Sequence, residues 1–131
     1  MKLSIVLAIF PLISFIRFSY AQFTSGNLIY VKINETAEIP LPAVANYRRT
    51  VLNAKYVEEE HLYRVCNGKN KAKCGFWENV KTKKKVASGP TTYNKNKKAL
   101  LVKKIRESDI GTYMTGNKKK SFEVLKFNLK G

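Results

Sequence analysis

The chain of 131 residues is poor in the residues that most chemistry requires. It has one histidine, two cysteines and nine acidic residues. A serine nucleophile needs a base, and His61 is the single candidate; no Gly-x-Ser-x-Gly elbow accompanies it. Two cysteines and one histidine do not supply the four ligands of a structural zinc. Cys-x-x-Cys spacing is missing, which removes the redox reading. No phosphate-binding loop or dinucleotide fingerprint occurs. Glu58, Glu59 and Glu60 are consecutive, so adjacent members face opposite sides of a strand; Glu58 and Glu60 could share a face, but their neighbours suggest no sugar cleft. These shortages predict a non-enzyme without cofactor, metal or catalytic residue.

Long apolar runs are scarce as well. The longest, Leu3 to Ile16, is ended by Arg17 and falls short of the roughly 20 residues of a membrane span. Lys2 precedes it, and Ser19-Tyr20-Ala21 places small residues where a signal peptidase reads them. The expectation is a cleavable signal peptide over 1–21 and a single domain over 22–131, secreted and extracellular. Ser121 to Gly131 carries no hydrophobic tail, so no lipid or membrane anchor is expected at that end.

What the chain does have is positive charge: 25 Lys and Arg against 9 acids. Two of the 25 lie in the leader, which leaves a net of about +14 on the expected mature domain. Such a surface attracts polyanions through counterion release. Outside the cell these are sulfated glycans, anionic membranes or acidic proteins; lysine predominates and no base-reading stripe is visible, so specific nucleic-acid binding is not expected. The candidate contacts are Lys81, Lys83, Lys84 and Lys85, then Lys95, Lys97 and Lys98, and then Lys118, Lys119 and Lys120. Three separate turns would carry them, forming one patch only if the turns gather.

In an oxidising compartment, Cys66 and Cys74 are expected to pair and to staple a polar hairpin loop. A loop this short is worth about 2–3 kcal/mol in the chain-entropy account. Asn34-Glu35-Thr36 is an N-glycosylation sequon in an expected turn, so Asn34 is a candidate glycan site.

Helical periodicity is almost missing, and short apolar alternations recur between polar turns, which predicts an all-β sandwich or barrel. Strands are expected over Leu28 to Ile33, Ala37 to Leu41, His61 to Cys66, Cys74 to Val80, Thr91 to Tyr93, Ala99 to Ile105, from Tyr113, and over Phe122 to Leu129. Ala43 to Lys55 reads as a loop with a strand near its end. An apolar parity change between Val124 and Leu125 suggests a bulge. His61, beside the three glutamates, is expected at an exposed strand edge.

Leu100-x-Val102-x-x-Ile105-x-x-x-Asp109-x-Gly111-x-Tyr113 resembles the strand E to strand F corner of the immunoglobulin superfamily. The resemblance implies a V-set-like immunoglobulin β-sandwich in which the Tyr113 hydroxyl bonds back to the corner, with Asp109 and Gly111 shaping it. Asn34 to Leu41 looks like the turn into strand B. Aligned so, Leu41 and Thr115 stand where the two inter-sheet cysteines usually are, so packing alone must hold the sheets together. The same alignment puts Leu62 or Tyr63 in the core of strand C and Trp77 on strand C′. Function follows as an expectation: an extracellular immunoglobulin-like module recognising a protein partner through loops or a sheet face, with Trp77 as an anchor if it is exposed and as a core residue if it is buried. The alternative is a polyanion-binding or defence-type protein, and oligomeric state is left open.

Overall fold

The structure is a computed structural model that describes residues 22–127. The expected signal peptide and the last four residues lie outside the described residues.

Ten strands form two facing sheets. They are β1 (Gln22–Ser25), β2 (Leu28–Val31), β3 (Ala37–Ile39), β4 (Asn46–Leu52), β5 (Glu58–Arg64), β6 (Trp77–Asn79), β7 (Thr91–Asn94), β8 (Ala99–Val102), β9 (Gly111–Thr115) and β10 (Ser121–Lys126). The larger sheet runs β1-β2-β10-β9-β4-β5-β6, and the smaller runs β3-β8-β7. Strand β2 pairs with β10 in parallel; every other pairing between strands is antiparallel. With β3, β8 and β7 as strands B, E and D, the other sheet contains G, F, C, C′ and C″ in order. That is the variable-type immunoglobulin arrangement.

The core is the set of inward residues at period two. Ile29 and Val31, Ala37 and Ile39, Leu100 and Val102, and Phe122 and Val124 are all buried. Where inter-sheet cysteines usually stand, Leu41 and Thr115 are buried instead. Polar tips of aromatic side chains join the sheets. The Tyr63 hydroxyl donates to the Thr91 carbonyl at 2.7 Å, and Trp77 Nε1 donates to Thr91 Oγ1 at 2.9 Å. Tyr47 stacks on Tyr93 at 6.0 Å between ring centroids. Buried aromatics with a satisfied polar handle bury large areas and also fix sheet registry.

Several sequence expectations are corrected. Ala43 to Lys55, expected as a loop with a strand near its end, is instead mostly the seven-residue β4, which lies between β9 and β5. Its inward residues are Tyr47, Arg49 and Val51. The charge at the middle position disguised the alternation. Strand C is therefore β4, and the segments read as C and C′ are C′ and C″. Trp77 lies on β6 and is 1% exposed, so it offers no surface to a partner. His61 is equally buried rather than at an exposed edge. Residues 121–126 pair with both neighbours in unbroken register, so the parity change at Leu125 is not a bulge. Leu125 pairs with Tyr30, and both are half-buried.

Candidate functional site

The corner after β8 is built from a single 3-10 turn, Glu107–Asp109. The Tyr113 hydroxyl donates to the Asp109 carbonyl at 2.6 Å, and its ring is fully buried. Burial pushes its pKa up to about 12. Gly111 serves the corner by allowing close approach. A Cβ there would overlap the Thr50 carbonyl oxygen, which faces β9 from β4. The Asp109 carboxylate accepts four hydrogen bonds, from Arg49 Nη1, Ser88 Oγ and the backbone amides of Gly89 and Arg106.

Sequence reasoning missed Arg49, the hub of this region. Its side chain has no solvent exposure, and Nη1 lies 2.9 Å from Asp109 Oδ1 and 3.0 Å from the Tyr113 hydroxyl. Its Cζ is 4.4 Å from the Trp77 ring centroid, a desolvated cation–π contact. Nη2 has no hydrogen-bond partner among the described residues. Nε donates to His61 Nδ1 at 3.0 Å, and a guanidinium has no acceptor to offer. His61 Nδ1 must therefore be unprotonated, so Nε2 carries the hydrogen and donates it to Glu59 at 3.0 Å. Burial lowers the His61 pKa, and the hydrogen bond from His61 lowers that of Glu59. Both imidazole nitrogens are thus committed to structural bonds.

Cys66 and Cys74 form a disulfide with Cα atoms 5.0 Å apart, in the connection from β5 to β6. Asn34 is exposed in the turn between β2 and β3, at φ 76°. Its amide is held by the Ile105 carbonyl.

The topology divides the three lysine runs. Lys95, Lys97 and Lys98 lie in the β7–β8 turn and Lys118, Lys119 and Lys120 in the β9–β10 turn, both at the Asn46 end of β4. Lys81, Lys83, Lys84 and Lys85 follow β6 at the opposite end. Lys97 pairs with Glu38 and Lys118 with Glu60. Among the described residues, the run from Lys81 to Lys85 has no ion-pair partner.

The β4–β5 hairpin turn carries an apolar cluster that the sequence reading did not single out. Leu52 is 52%, Tyr56 84% and Val57 56% exposed. Asn53 holds the turn: its Oδ1 accepts from the amides of Lys55 and Val57, and its carbonyl from that of Tyr56. Tyr56 sits at φ 60°, a backbone region that bulky residues seldom occupy. A groove of about 360 Å3 runs beside it, bounded by Leu52, Ile110, Ser108 and Glu107.

Strand order and the hydroxyl-pinned corner together define a variable-type immunoglobulin-like domain. No sequence family and no curated protein matches the chain. Among solved structures it is similar to the extracellular domain of the voltage-gated sodium channel beta4 subunit, whose parallel homodimers explain that protein's role in cell–cell adhesion. The two share 15% identity over 83% of this chain and 93% of the other, at a TM-score of 0.44. At that level the fold assignment stands on the strand order alone.

Proposed function

We propose that this chain is an extracellular binding module that engages a protein partner through the tip of the β4–β5 hairpin. The observation that carries this reading is the clustering of Leu52, Tyr56 and Val57, three of the four large exposed hydrophobic residues among the described residues. Contiguous exposed apolar side chains mark interaction surfaces more often than scattered ones do. Tyrosine is also a frequent energetic centre of interfaces. The hairpin is held in place by Asn53 before any partner arrives, which lowers the ordering cost of association. Strain at an exposed Tyr56 stabilises nothing within the domain, and it fits a side chain held out for contact.

The test is photo-crosslinking from residue 55 in extracellular fluid, comparing the wild type with a Leu52→Ser, Tyr56→Ser double variant. A discrete adduct that the double variant loses supports the reading. An adduct formed equally by both places the contact elsewhere and ends it.

A second reading, polyanion binding, is favoured by a separate observation: the run from Lys81 to Lys85 is exposed and, among the described residues, makes no ion pair. Export and glycosylation at Asn34 belong to both readings, and the Cys66–Cys74 disulfide fits an oxidising compartment.

A further inference from the structure

Two basic segments that are far apart in sequence meet at one end of the sandwich. The β6–β7 connection brings Lys81, Lys83, Lys84 and Lys85, and the stretch after β8 brings Lys103, Lys104 and Arg106. Gly89 makes the meeting possible. A Cβ at that position would overlap the Lys103 carbonyl oxygen and crowd that of Lys104. The Lys103 amide donates to the Pro90 carbonyl at 2.8 Å, and the Gly89 amide to Asp109 at 3.0 Å, which holds both segments against the corner.

Between them lies a groove of about 460 Å3 lined by Phe76, Ser88, Pro90, Lys85, Lys104 and Arg106. Lys85 Nζ is 5.5 Å from the Phe76 ring centroid. All seven cations are exposed, and among the described residues none of them is ion-paired. The nearest acid along the chain, Glu107, is taken by Lys126. Phe76 and Pro90 give the groove apolar surface beside Ser88 and Thr91, and its charged lining residues, Lys85, Lys104 and Arg106, are all positive.

Resting on the polyanion reading, we infer that this groove is a binding site for a linear sulfated glycan, with Lys85, Lys104 and Arg106 as its sulfate contacts. Three unpaired cations lining the groove, with four more on the same two segments, complement a chain of repeated negative charge. A lipid surface fits less well. The apolar side chains able to enter a bilayer, Leu52, Tyr56 and Val57, are bordered by Glu58 and Glu107, which an anionic membrane repels. Specific nucleic-acid recognition requires base stacking or edge readout, and the rims offer mainly lysine stems.

The experiment compares two triple variants of the full secreted chain. The groove variant is Lys85→Gln, Lys104→Asn, Arg106→Gln. The control is Lys95→Gln, Lys98→Asn, Lys119→Gln, at the opposite end and also unpaired. Asn is chosen where the backbone is left-handed, at Lys98 and Lys104. Heparin affinity is measured across salt concentrations, with unfolding midpoints as the check on folding. Lys85→Gln alone replaces the groove triple should that fail to fold.

The wild type should be retained above physiological salt, about 150 mM, and should lose retention on desulfated heparin. The groove triple should lower the slope of log K against log salt by about 2–3, and the control by less than about 1. Equal losses from both triples would leave polyanion binding standing and overturn the groove. Wild type eluting below physiological salt would overturn the polyanion reading together with the groove. Groove-dependent binding to phosphatidylserine vesicles, with heparin binding unchanged by the triple, would overturn the glycan assignment in favour of a membrane.

Discussion

Arg49 and Asp109, sixty residues apart in the chain, form an ion pair at 2.9 Å with both side chains wholly excluded from water. The pair ties β4 to the corner before β9, beneath the Trp77 ring. A desolvated pair of this kind is a weak net contributor when intact and a large liability when halved.

Arg49→Met should therefore destabilise the domain by about 3–5 kcal/mol, because it leaves Asp109 charged and buried without its cation. Adding Asp109→Asn should recover part of that loss. Denaturant unfolding of the two single variants and the double variant measures the coupling. Additive costs would mean that the pair acts as two independent groups.

Tyr113→Phe removes a donor to the Asp109 carbonyl and an acceptor for Arg49. The expected cost is about 1–3 kcal/mol, the range for leaving buried polar groups unsatisfied. Gly111→Ala should cost about 1–3 kcal/mol for a different reason, the overlap of its Cβ with the Thr50 carbonyl. A neutral outcome at either position, read from chemical denaturation, would show that the corner is not held as described.

Stability should fall on mild acidification. His61 is neutral in the fold, with its pKa lowered from 6.5 by burial, and it faces Arg49, Glu59 and Asp109. Above pH 6.5 both folded and unfolded chains carry it neutral, so its contribution is complete. Below that value the unfolded chain binds the proton first, and stability declines until the folded state's own lower pKa is reached. Glu59, whose pKa is lowered from 4.5, adds a further loss at lower pH. Unfolding midpoints from pH 8 to 5 should show the decline, and His61→Gln should flatten its upper part.

Tyrosine ionisation should separate into two classes. Burial pushes Tyr47 and Tyr113 up to about 12, whereas Tyr56 is 84% exposed. A raised folded-state pKa contributes stability that is complete below pH 10 and is lost as pH climbs toward 12. Absorbance titration at 295 nm should show late-ionising residues whose transition coincides with unfolding. A single transition near pH 10 in the folded protein would contradict the buried placement.

Mass spectrometry of the secreted product should find Gln22 at the N-terminus, the Cys66–Cys74 bridge, and a glycan on Asn34 that glycosidase removes. Replacing both cysteines with serine should cost about 2–3 kcal/mol. An unmodified Asn34 on a correctly exported chain would remove the glycan from the account.

The sequence alone determined that the described chain is all-β. It also gave most of its strands, its cysteine pair and the corner at Asp109, Gly111 and Tyr113. Those features are local: alternation, turn residues and a fixed spacing are written within a dozen positions. Strand β1 escaped because Gln22 to Ser25 is too short and polar to alternate visibly. Strand β4 was legible only as a strand near the end of Ala43 to Lys55. Its full extent and its place as strand C were missed because its central inward residue is Arg49, and a charge facing the core is acceptable only when Asp109, His61, Tyr113 and Trp77 converge on it. No local pattern announces partners drawn from three separate segments. Only the tertiary structure decided that His61 and Trp77 are interior, and that Lys85 faces Lys104 and Arg106 across a groove. Packing brings those residues together, and the free energy that makes each placement tolerable comes from neighbours the chain meets only when folded.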